Sequence, residues 1–112
     1  MEIKEFQELS TRTMNESLSF NEKVANMIFG INGEAGEVTD ILKKHLYHNH
    51  ELDLDHLKEE IGDVMFYIVN LATLYGFDME EILQDNVAKL ALRYKKGFTT
   101  EESIKRIDIN ER

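Results

Sequence analysis

Glu34-Ala-Gly-Glu37 and Glu60-Ile-Gly-Asp63 repeat one pattern 26 residues apart: two acids three positions apart, with a glycine directly before the second. On a helix, residues at i and i+3 lie on one face. Val38 and Val64 follow the second acid of each pair, so both pairs flank an apolar seam. If the connection between them returns the chain antiparallel, the pairs face one another and four carboxylates share one site. Gathered like charges disfavour one another's ionisation, so the cluster is costly unless divalent cations fill it. An all-oxygen donor set selects Mg²⁺, with Mn²⁺ second. A single acidic pair at helical spacing is ordinarily a solvated helix face; the repeat, with its matching glycine, argues for more. Glycine inside a helix costs up to about 1 kcal/mol against alanine. Gly36 and Gly62 either let metal, water or phosphate approach the backbone or allow close helix packing.

Other residues suit the same chemistry. Lys89, Arg93, Lys95 and Lys96 form the concentrated positive charge of the chain, with Asn86 one turn before Lys89, and triphosphate oxygens would suit them. Lys95 and Lys96 are explained more simply as complements to a helix dipole. Tyr67 and Asn70 continue the stripe begun by Glu60 and Asp63, which places them to contact a ligand beside the metals, although packing is the commoner role of an aromatic at that spacing. His45, His48, His50 and His56 crowd one loop, the polar connection between two helices, and His45/His48 has zinc spacing, but no four-ligand set completes it. No Glu has a His three residues later, as di-iron carboxylate bundles need.

The elements that must hold these groups are helices. The chain has no proline, which favours long uninterrupted helices. Val24, Ile28, Ile31, Ala35, Val38, Leu42 and Leu46 mark one helical face between Asn21 and Tyr47, with Ser19 and Glu22 as its capping box. Leu54, Leu57, Ile61, Val64, Ile68, Leu71 and Tyr75 alternate steps of three and four, the pattern of a packed bundle seam. Gly76 ends that helix, Asp78 with Glu81 caps the next, and Met79, Leu83, Val87, Leu90 and Tyr94 carry it towards Gly97. Ile3, Phe6 and Leu9 mark a weaker first helix, and a short one is expected after Thr99 or Thr100. The expected architecture is therefore an all-α, four-helix-bundle-like single domain over residues 1–112. Residues 1–20 form an N-terminal helix and connection, 21–98 the motif-bearing helices, and 99–112 a charged tail.

Composition excludes several classes. The formal charge of −9 has the wrong sign for holding a nucleic-acid backbone. The longest apolar run, Val64 to Val69, has six residues, against roughly 20 for a membrane span. The acidic start lacks the features of a secretory signal, so a cytoplasmic location is expected. There is no cysteine, which removes thiolate catalysis, disulfides and cysteine-zinc sites.

Gly33-Glu-Ala-Gly-Glu37, Glu60-Ile-Gly-Asp63 and Asn86-Val-Ala-Lys89 followed by Arg93-Tyr94 resemble the MazG-like nucleoside triphosphate pyrophosphohydrolases, from Val24 to Phe98. The resemblance implies a MazG-type helical fold working as a homodimer or dimer-of-dimers homotetramer. It also implies Mg²⁺ on Glu34, Glu37, Glu60 and Asp63, and Asn86 and Lys89 near the phosphates. The chain departs from many members at Gly33, where an acid is common, and at Lys95, where proline is common; neither position is a metal ligand. The expected reaction is hydrolysis of a nucleoside triphosphate between the α and β phosphorus atoms, giving monophosphate and pyrophosphate. One carboxylate not fully engaged would take the proton of the attacking water. Such transfer relies on positioning and charge stabilisation and needs no nucleophilic Ser or Cys. Two alternatives are a non-catalytic helical interaction module built on the Leu54 to Tyr75 seam, and a cation-dependent sensor that binds nucleotide without hydrolysing it.

Overall fold

In a computed structural model of the chain, residues 1–95 and 97–106 are described; Lys96 and the end of the charged tail, 107–112, lie outside them. The elements are all helices: α1 (Ile3–Thr11), α2 (Phe20–Tyr47), α3 (Leu54–Leu74), α4 (Met79–Arg93) and α5 (Thr100–Lys105).

Local chemistry sets each boundary. Ser19 and Glu22 form the expected reciprocal box: the Glu22 N–H donates to Ser19 Oγ at 3.2 Å and the Ser19 N–H to Glu22 Oε1 at 3.0 Å. Asp53 caps α3 by accepting from the His56 N–H at 3.0 Å, and Thr99 caps α5 by accepting from the Glu102 N–H at 3.1 Å. Asp78 caps α4, but its carboxylate accepts from the Glu80 N–H at 3.0 Å, so the expected reciprocal box with Glu81 is replaced by a single bond. At the end of α3, Gly76 takes φ +72°. There the Phe77 N–H reaches the Ala72 carbonyl at 2.9 Å and the Gly76 N–H the Thr73 carbonyl at 3.0 Å, a Schellman closure.

α2 and α3 form a long antiparallel pair, and α1 packs across the second half of α3 together with the start of α4. The core lies there: Val69, Ala72 and Met79 are buried, with Ile3, Phe6, Met65 and Ile68 against them. Gln7 fastens the same junction. Its Nε2 donates to Thr73 Oγ1 and to the Phe77 carbonyl, and its Oε1 accepts from the Met79 N–H, all at 2.9 Å.

The expected seam on α3 is not what this chain buries. Leu54, Ile61 and Tyr75 are more than half exposed, whereas the buried positions of α3 are Glu60, Val69, Asn70 and Ala72. The reason is geometric: α2 covers the acid-bearing face, and the regular apolar stripe lies partly off both α2 and α1. α4 buries only Met79, leaving Ile82, Leu83, Val87, Leu90 and Leu92 exposed. The radius of gyration is accordingly 17.4 Å, where about 13 Å is usual for a compact chain of this length.

Candidate metal centre

Pairing of α2 with α3 follows one antiparallel register. Gly30 meets Tyr67 and Glu34 meets Asp63, partners whose numbers add to 97. The register brings the two acidic motifs to one level. Ligand oxygens of Glu34, Glu60 and Asp63 lie within 4.8 Å of one another, the one such group among the described residues.

Glu60 is the most constrained member, with 8% of its surface exposed. Its Oε1 stands 3.2 Å from His56 Nε2, whereas the buried Oε2 has no hydrogen-bond partner among the described residues. A buried acceptor without a donor is costly unless a cation or proton meets it. Glu34 feels the same deficit: the prospect of sharing a proton with the Glu60 carboxyl, then burial and the Glu60 charge, push its pKa above the ordinary carboxylate value. Three close oxygen donors with too few protons suit a hard divalent cation, so the residues present fit one.

Glu37, the fourth expected ligand, is exposed one turn along α2 and stands outside the group. Asn86 and Lys89 are exposed on α4, and no hydrogen bond or ion pair joins them to the acids among the described residues. Arg93 lies over the Tyr94 ring, 5.6 Å from its centre, at the far end of α4. Tyr67 is half-buried one turn beyond Asp63. Asn70 is fully buried, its Nδ2 donating to the Phe66 carbonyl at 2.8 Å and its Oδ1 without a partner among the described residues, so it lines the helix interface and not an open face. Among the described residues, no neighbouring heavy atom stands within 4 Å of a Cβ placed at Gly36 or Gly62, which removes close packing between them as the role of these glycines.

Two residues of this neighbourhood were not legible as such. His56 belongs to the first turn of α3, not to the histidine-rich connection, and the signal for it was its position four residues before Glu60 on one helical face. Gly30, four residues before Glu34, is where helix packing does require glycine, because a Cβ there would overlap the Tyr67 ring. The remaining histidines form no metal group among the described residues; His45 Nδ1 is 2.9 Å from the His50 carbonyl oxygen.

The sequence profile of the MazG nucleotide pyrophosphohydrolase domain matches residues 22–98, a stretch that takes in α2 from Glu22, all of α3 and α4, and the four paired acids. The chain belongs to the MazG nucleotide pyrophosphohydrolase family. It is also similar to the "Gene 37 protein" of Mycobacterium phage L5, with 32% identity over 80 residues, covering 68% of this chain and 70% of the phage protein. No solved structure matches significantly. No helix among the described residues is long and apolar enough to cross a membrane.

Proposed function

We propose that this MazG-family chain hydrolyses a nucleoside or deoxynucleoside triphosphate to the monophosphate and pyrophosphate with Mg²⁺, Mn²⁺ being a possible substitute. The observation that carries this reading is the buried Glu60 Oε2, without a donor, beside Glu34 and Asp63. Glu34, Glu60 and Asp63 would hold the ion, and Glu37 would join them by turning its exposed side chain inward. The ion, when bound, neutralises phosphate charge and acidifies an attacking water. A carboxylate not fully engaged with the ion would take that proton. His56 holds Glu60 Oε1 and thereby fixes which oxygen faces the ligand.

Asn86, Lys89 and Arg93 would serve the phosphates from a second copy of the chain. Support comes from α4, whose exposed Leu83, Val87 and Leu90 need a cover and share their helix with Asn86 and Lys89. A homodimer or homotetramer with sites completed between copies follows, and light scattering at micromolar concentration tests it: a monomer would remove this assignment. The net charge of −9 and the cation requirement fit a small anionic nucleotide and not a nucleic-acid polymer, acted on in the cytoplasm.

Product analysis tests the reaction itself. Each common ribo- and deoxyribonucleoside triphosphate is incubated with the protein and Mg²⁺, and again with chelator. Monophosphate plus pyrophosphate, lost on chelation, is the expected result. Diphosphate plus phosphate would place the cleavage elsewhere, and binding without turnover would favour a nucleotide sensor.

A further inference from the structure

We propose that Gly30 is a positioning residue: the notch it leaves in α2 seats the Tyr67 ring, and so sets the width of the space that the nucleoside end of the substrate enters beside the carboxylates. Tyr67 has this role only if the carboxylates hold cations against phosphates, as read above; the notch itself is independent of that reading.

A Cβ at residue 30 would overlap Cγ, Cδ1 and Cε1 of Tyr67, whereas at Gly33, Gly36 and Gly62 it would meet nothing within 4 Å. Overlap with Cγ, the ring atom nearest the backbone, cannot be relieved by tilting the ring tip; the whole side chain must take another rotamer. α2 bars one direction and the edge-on Phe66 ring, 5.2 Å away between centres, bars another. What remains open is the exposed part of Tyr67, which is half-buried and follows Asp63 by one turn of α3. Gly30 precedes Glu34 by four residues and Tyr67 follows Asp63 by four, so notch and ring lie about 6 Å along the helices from the acid layer. That offset is the scale separating a metal-bound phosphate from its sugar and base, and an aromatic face stacks on a base whatever its identity. Glycine therefore keeps the ring flat against α2, and any side chain at residue 30 moves it into the ligand's space.

The test is a double-mutant cycle in the full chain: Gly30→Ala, Tyr67→Ala and both together, assayed with Mg²⁺ on the triphosphate that the unaltered protein hydrolyses fastest. Mn²⁺ affinity is measured in parallel. Expected for Gly30→Ala is a KM raised by about tenfold or more, with kcat and Mn²⁺ affinity within about threefold. The double variant should match Tyr67→Ala within about twofold, because residue 30 acts only through the side chain at 67. Additive effects, or an unchanged KM in Gly30→Ala, would overturn the assignment. Should Gly30→Ala not fold, the double variant decides: folding with the kinetics of Tyr67→Ala supports the notch, and failure to fold overturns it. If the unaltered protein binds triphosphate without hydrolysing it, the same cycle is read in Kd. A protein that neither binds nor hydrolyses any triphosphate with Mn²⁺ present ends the parent reading and this one together. Turnover with additive variants ends this one alone.

Discussion

The two halves of α3 meet opposite demands. Its second half, with α1 and the start of α4, buries neutral groups: Val69, Ala72 and Met79 pack together, Gln7 pairs with Thr73, Phe77 and Met79, and the acceptor left without a donor among the described residues, Asn70 Oδ1, carries no charge. Its first half, against α2, buries an acid and leaves an oxygen of it without a donor. The first kind of region stabilises a fold. The second is tolerable only if something absent from the polypeptide completes it, which is the physical sense in which a site is distinguished from a core.

The contrast is best broken at Glu60. Glu60→Gln keeps the shape, removes a charge and supplies a donor, so turnover in Mg²⁺ should fall by at least about 100-fold, while the melting temperature without metal holds or rises. Near-native pyrophosphate release from that variant would remove Glu60 from the site. Gln7→Ala should do the reverse. Three hydrogen-bond partners are left unmet, costing about 1–3 kcal/mol in urea unfolding, with Mn²⁺ affinity untouched; a loss of metal binding there would mean the two halves are coupled.

A smaller effect sharpens the comparison from inside the site. His56→Ala frees Glu60 Oε1, and Mn²⁺ should bind about tenfold more weakly, with His56→Gln recovering part of the difference; calorimetric titration decides it. Smallest is the response to pH. Glu34 ionises less readily in the folded chain than in the unfolded one. Its contribution to stability is therefore present below the ordinary carboxylate pKa and lost as pH rises through the raised folded value. In chelator the melting temperature should decline over that interval, and Glu34→Gln or saturating Mg²⁺ should flatten the decline. An equal slope in Glu34→Gln would assign the effect to another group.

Much of this was legible along the chain because it depends on short separations. Helix periods, the Ser19–Glu22 box, the Gly76 stop and the two acidic pairs are all written within four or five residues, where sequence and geometry correspond closely. What escaped depends on which faces meet. The apolar stripe of Leu54, Ile61 and Tyr75 looks like a core seam, yet this chain turns the Glu60 face towards α2 instead, because the register of the α2–α3 pair is set by both helices at once. The need for glycine at residue 30 resides in Tyr67, 37 positions away, and so has no local signature. Gln7 is likewise an unremarkable polar residue until Met79 comes to it.

That last separation has a kinetic side. α2 and α3 are joined by the six residues 48–53, so their pairing closes a short loop, while the bond from the Met79 N–H to Gln7 spans 72 positions. Loop closure penalises distant pairs more than near ones, and local contacts form faster. The carboxylates should therefore come together early in the folding of each molecule, with their mutual repulsion unrelieved, and the Gln7 junction should close last. Divalent cations present during refolding would then act on the rate at which the α2–α3 hairpin forms, and not only on the stability of the finished protein.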